Sequence, residues 1–151
     1  MDDVRRIVVS RRVEAPAARV FAVLADPGRH AEIDASGTVR SARASVPVTA
    51  VGERFCMAMY REDRGGDYET DNVVTTYEPD RAIGWATTYP GQEPLGYTYT
   101  YLLSPDGDER TVVTQVYDWS GVTDPDLLRL FPRVTAAELA ATLDRLADAL
   151  G

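Results

Sequence analysis

Lysine is absent from this chain, and cysteine and histidine occur once each. The single cysteine, Cys56, cannot close an internal disulfide, and one Cys with one His falls short of the ligands a structural zinc site needs. Cys56 is therefore read as a small buried apolar residue. All 16 basic residues are arginines scattered along a chain of net charge −8, the wrong sign for nucleic acid or an anionic membrane surface. No apolar run approaches the ~18 residues of a membrane span, and the arginine-rich start lacks the apolar region of a secretion signal. A cytoplasmic protein is expected, with no membrane span, nucleic-acid partner, metal or cofactor. A Gly-rich phosphate cradle is also missing, since Gly65-Gly66 is followed by strand-like residues and reads as a hairpin tip.

What is present is pattern. The 151 residues suit one domain, 1–151, large enough for its own core. The carboxy-terminal stretch 135–150, TAAELAATLDRLADAL, reads as an amphipathic helix. Thr135 and Glu138 form a capping box, Val134 can staple onto Leu139, and Leu139, Leu143, Leu146 and Leu150 recur at helical spacing. Ala136, Ala140 and Ala147 run beside that stripe. The helix then either packs closely through small residues or leaves a cavity beneath larger side chains facing it.

Residues 4–14 are β-branched and strand-like. Pro16 suits a helix start, with Val20, Phe21 and Leu24 at helical spacing, and Asp26-Pro27 opens a second short helix ending near Asp34. From 38 to 120 the period changes to two. Segments 38–44, 53–62, 68–77, 82–89, 97–104 and 110–120 are rich in Val, Thr, Tyr and Phe, and Gly, Pro and Asp punctuate them. This predicts an α+β fold of β-α-α-β6-α order, a seven-stranded antiparallel sheet covered on one face by the last helix.

Alternation assigns inward faces to Phe55, Met57 and Met59; Ile83, Trp85 and Thr87; Tyr97, Tyr99 and Tyr101; and Val113, Gln115, Tyr117 and Trp119. With Asn72, Phe131, Leu139, Ala140 and Leu143, the aromatic and sulfur-bearing members form a candidate ligand lining: mostly apolar, with hydroxyl and amide tips. His30 and Asp34 are four apart, on one face of a helix. Asp34 sits at the unfavourable carboxyl end of that helix and calls for a partner. An Asp-held imidazole there would be a usable general base or acid, and a surface histidine beside a solvated acid is the plain alternative. Tyr60 and the tyrosines above could donate hydrogen bonds, and Arg40 or Arg54, if turned inward, could hold an enolate or carboxylate.

Val13-Glu14-Ala15-Pro16 with Val20-Phe21-Ala22-Val23-Leu24-Ala25-Asp26-Pro27 resembles the opening of the START-like (SRPBCC) superfamily of polyketide cyclase/dehydrase and lipid-transport proteins. Asn72-Val73-Val74 to Glu78-Pro79, Ile83-Gly84-Trp85, Thr111-Val112-Val113-Thr114 and Tyr117-Asp118-Trp119-Ser120-Gly121 resemble later strands of its small single-domain bacterial members. His30 to Gly37 is similar to a His-containing segment that in relatives often ends Asp-Gly-Ser-Gly, with Ala35 here replacing the first glycine. The resemblance implies a helix-grip fold, a curved sheet around the long terminal helix, on which carriers and enzymes both occur. The expected function is binding of a hydrophobic or aromatic, polyketide- or lipid-like small molecule between sheet and terminal helix. The alternative is a polyketide cyclase, aromatase or dehydratase using the same cavity with His30, Tyr and Arg groups. One histidine and no evident acid pair favour binding. Monomer and homodimer both stay open.

Overall fold

The computed structural model describes residues 4–42 and 46–150, with Arg64 described by its backbone alone. Strand β1 (Arg6–Val13) leads into α1 (Ala17–Leu24), a 3-10 turn over Pro27–Arg29 and α2 (His30–Ile33). The meander follows: β2 (Val39–Ala42), β3 (Arg54–Arg61), β4 (Gly66–Glu78), β5 (Ala82–Thr88), β6 (Thr98–Pro105) and β7 (Thr111–Asp118). Two helices end the chain, α3 (Pro125–Leu128) and α4 (Ala136–Leu150). The strands form one antiparallel, curved sheet in the order β1-β7-β6-β5-β4-β3-β2, so β1 closes against the last strand.

Local chemistry accounts for these boundaries. Asp26 accepts from Gly28 N at 2.9 Å and caps the turn opened by Pro27. At α4 the capping box is complete: Glu138 N donates to Thr135 Oγ1 at 3.1 Å, and Thr135 N donates back to Glu138 Oε1 at 3.0 Å. Val134 packs in the same cluster as Leu139. Gly65 takes a left-handed conformation (φ 83°) at the end of the 3-10 turn joining β3 to β4. The β4–β5 register shifts between Val74 and Thr76, and Gly84 opposite leaves no room for a side chain, because a Cβ there would meet Thr100 Oγ1 at 2.7 Å.

Three expectations are corrected. The strand expected over 38–44 starts at Val39 rather than Thr38 and is observed over Val39–Ala42, while Arg43 and Ala44 lie outside the described residues. The helix α3 was not expected, although Asp124 caps it by accepting from Asp126 N at 2.9 Å, the same Asp-Pro opening as at Asp26. Cys56 is only partly buried, and its thiol donates to Glu69 Oε2 at 3.4 Å.

The interior has two parts. One is largely aliphatic: Val20, Leu24, Ile83, Val113, Leu143 and Leu146 are almost fully buried there, together with Phe21, Phe55 and Met57. The other gathers Tyr117, Trp119, Val122 and Leu139, with Tyr97, Tyr99, Leu127, Phe131 and Val134 half-buried around them. Helix α4 spans both parts, packing on β1, α1 and α2. Its buried stripe is Leu139, Thr142, Leu143, Leu146 and Leu150. Ala136 and Ala140 face solvent instead.

Candidate functional site

Between the two clusters lies a hollow of about 160 Å³. Strands β3 to β7 give it Phe55, Met57, Met59, Thr70, Asn72, Trp85, Thr87, Tyr99, Tyr101 and Gln115, all on inward parity. Helix α2 contributes His30 and Ile33, and α4 contributes Leu139 and Thr142. Leu95 and Tyr97, from the run into β6, and Leu127, Phe131, Arg133 and Val134, from the chain around and after α3, complete the wall. The approach of these two segments is backbone on backbone: a Cβ on Gly96, at φ +109°, would lie 2.3 Å from Gly121 O.

The structure therefore brings together Phe55, Met57, Met59, Asn72, Trp85, Tyr97, Tyr99, Tyr101, Phe131 and Leu139, and places His30 and Asp34 in the same wall. Four expected lining residues stand elsewhere. Tyr117 is fully buried behind the wall, its ring stacked on Tyr99 at 4.7 Å. Trp119 packs against Tyr117 and Phe131. Leu143 belongs to the aliphatic cluster, and Ala140 is exposed. Helix phase explains the last: Ala140 is one residue, about 100° of helix rotation, beyond Leu139, whereas Thr142 at the i+3 position faces inward.

His30 is 8% exposed, stacked on Trp85 at 4.8 Å and edge-on to Phe55 at 5.6 Å. Its Nε2 lies 2.8 Å from Leu24 O. A carbonyl only accepts, so the proton sits on Nε2 and Nδ1 keeps its lone pair. Burial pushes the imidazole below its ordinary value, outweighing the raising effects of the Leu24 carbonyl and Asp26, so His30 is neutral near pH 7.

The expected His30–Asp34 pair is not formed among the described residues. Helix α2 ends at Ile33, and Asp34 is already extended (φ −68°, ψ 120°), which breaks the i,i+4 alignment. The Asp34 carboxylate accepts instead from Ser36 Oγ at 2.8 Å, Ser36 N at 3.2 Å and Val39 N at 3.1 Å. Helix α4 grips this turn from the other side, with Thr142 Oγ1 accepting from Ala35 N at 3.1 Å and Arg145 donating to Asp34 O at 2.6 Å.

Burial raises the hydroxyls of Tyr97, Tyr99 and Tyr101 well above the ordinary phenol value, so all three are neutral donors at any physiological pH. Gln115 Nε2 donates to Tyr101 Oη at 3.0 Å, and Asn72 Oδ1 accepts from Thr87 Oγ1 at 2.7 Å. Two buried polar atoms of the wall have no partner among the described residues: Thr70 Oγ1 and Gln115 Oε1. Arg54 and Arg40 do not reach the hollow. Arg54 is held by Asp71 at 3.3 Å and Gln92 O at 3.0 Å, and Arg40 lies 4.9 Å from the centre of the Tyr60 ring.

Sequence reasoning missed Thr70, Thr142, Arg61 and Arg133. Thr70 shares parity with Asn72, and Arg61 with Met57 and Met59, so alternation carried that signal. Arg133 lies in irregular chain, where no period applies. Among the described residues, no group of three or more His, Cys, Asp or Glu side chains could hold a metal ion, and no helix is long and apolar enough to cross a membrane.

Residues 4–151 match the family described as polyketide cyclase/dehydrase and lipid transport. The chain belongs to that family. It is 35% identical over 149 residues to the uncharacterized protein Rv0088 of Mycobacterium tuberculosis, covering 93% of this chain and 62% of that protein. The chain thus spans less than two thirds of the curated relative's length. Among solved structures it is similar to NE0264 from Nitrosomonas europaea (TM-score 0.69, 14% identity, 99% of this chain and 96% of that one). Ms6760 from Mycobacterium smegmatis (0.68, 16%, 96% and 90%) and the Aha1 dimer from Colwellia psychrerythraea (0.62, 17%, 96% and 95%) are similar too. At these identities the likeness establishes the helix-grip fold.

Proposed function

We propose that this member of the family binds a small, largely apolar molecule with an aromatic body in the hollow between the sheet and helices α2 and α4. The observation that carries the reading is the pair of orphaned polar atoms, Thr70 Oγ1 and Gln115 Oε1, set in a wall of aromatic side chains. A buried hydroxyl or amide oxygen without a partner costs about 1–3 kcal/mol. Both belong to residues that line the hollow, so a bound molecule that brings hydrogen-bonding groups against them supplies what folding alone leaves unmet. By volume, about 150 Å³ suffices for a benzene-sized body.

Native mass spectrometry of the purified chain is the test, with the variant Thr142→Phe in parallel. Thr142 is on the helical wall, and a phenylalanine there fills the hollow. The reading predicts a small molecule retained by the wild type and lost from Thr142→Phe; equal retention in both would place the ligand elsewhere.

A second reading, proton transfer on a bound poly-carbonyl compound, draws on one observation. His30 is neutral, and its Nδ1 makes no hydrogen bond among the described residues. It could take a proton from an acidic carbon while neutral tyrosine hydroxyls stabilise the enolate. His30→Gln keeps a donor for the Leu24 carbonyl and removes the base. Turnover abolished with affinity kept would favour this enzyme reading; full turnover in the variant would end it.

A further inference from the structure

The hollow does not end on neutral residues. Its wall includes the guanidinium-bearing side chains of Arg61 and Arg133, and both also line an open surface groove with Ser36, Thr38, Tyr60, Asp63 and Arg40, which lies over the Tyr60 ring. The two arginines therefore stand where the hollow meets the surface. Their states differ. Arg61 is neutralised by Asp63, with Nε 3.1 Å from Oδ1. Arg133 is half-buried, and its guanidinium has no hydrogen bond or ion pair among the described residues. Its backbone N donates to Tyr117 Oη at 3.1 Å, and its charge, after that of Arg61, helps to hold the Asp63 carboxyl below its ordinary value. The other acids of the groove are Glu62 and Glu138, and Glu138 is already committed to the α4 capping box.

We propose that Arg133 is the anchor for a carboxylate, and that the ligand is an aromatic carboxylic acid with its body in the hollow and its acid group at the mouth. This rests on the binding reading above and adds the ligand's charge. A guanidinium on a half-buried residue, with no hydrogen bond or ion pair among the described residues, matches a planar carboxylate, which it can hold through two parallel N–H···O bonds. The groove sets Arg40, Arg61 and Arg133 against Glu62, Asp63 and Glu138, so it carries no excess positive charge and suits a single negative charge better than a doubly charged phosphate group. Among the wall residues, Thr70 and Gln115, each with an unpartnered buried oxygen, suit a hydroxyl on the ring.

The full chain is titrated calorimetrically with 3-(4-hydroxyphenyl)propionic acid, with its neutral amide, and with the phosphonate analogue. The wild type is expected to bind the acid about tenfold or more tightly than the amide, the scale of a charge-assisted hydrogen bond, and more tightly than the phosphonate. Arg133→Gln should erase the preference by weakening the acid and leaving the amide unchanged. Asp63→Asn, which removes a competing anion from the rim, should strengthen acid binding about two- to fivefold. That gain is not expected if Arg133 merely supports the local fold. Equal affinity of acid and amide in the wild type, or an undiminished preference in Arg133→Gln, would overturn the anchor while leaving the hollow as a binding site. A phosphonate bound more tightly than the acid would overturn the carboxylate assignment. Failure of both acid and amide to bind the wild type would overturn the binding reading and the anchor with it.

Discussion

The two halves of α4 face different interiors. Its second half sends Leu143, Leu146 and Leu150 into a largely aliphatic cluster, among Val20, Leu24 and Val113, which are almost fully buried. Its first half sends Leu139 and Thr142 to the edge of a hollow walled by half-buried aromatics, where two polar atoms go unpaired. One helix, one sheet and one sequence thus produce close packing at one end and open space at the other. The difference follows from side-chain shape. Branched aliphatic groups interdigitate, whereas stacked rings such as Tyr99 on Tyr117 and Trp119 on Phe131 brace one another as flat walls and leave space in front.

The contrast can be broken from its sealed side first. Leu146→Ala should destabilise the protein by about 2–5 kcal/mol in chemical denaturation, because it removes a fully buried side chain and leaves a gap. On the open side the sign reverses. Thr70→Val replaces an orphaned hydroxyl by a methyl group of the same shape and should stabilise the ligand-free protein by about 1 kcal/mol. A loss of stability in that variant would mean that the hydroxyl has a partner.

The smallest effect is a pH dependence. Above pH 6.5, the ordinary histidine value, His30 is neutral in both folded and unfolded chains. Below it, the unfolded chain takes up a proton that burial denies the folded one, so the unfolded state binds more protons and stability falls as pH drops toward the lowered folded value. Urea midpoints measured from pH 7.5 down to 5 should decline more steeply for wild type than for His30→Gln. Parallel curves would show that the imidazole is not held neutral.

The fold was legible where a period or a cap repeats. Alternation in 53–120 gave the strands within a few residues, and the Thr135/Glu138 box and leucine stripe gave α4. The site was legible only as far as parity reaches. Phe55, Trp85, Tyr99 and Tyr101 followed from it, and Thr70 and Arg61 could have. Ala140 lies outside because small size does not fix helix phase, and Thr142 holds the inward position. The His30–Asp34 pair failed because spacing assumes a continuing helix, and α2 ends one residue too early. Arg133 belongs to the connection between α3 and α4, whose course depends on tertiary contacts such as Gly96 against Gly121.

The central claim is that ligand sits in front of the Trp85 ring, between β5 and α4. Titration of 4-propylphenol, a neutral probe indifferent to Arg133, can be followed at the Trp85 indole N–H resonance in wild type, Thr142→Phe and Ala140→Phe. A saturable shift in wild type and Ala140→Phe, weakened about tenfold or more in Thr142→Phe, is the expected result. Identical titrations in all three proteins, or a wild-type Trp85 signal that never moves, would contradict it.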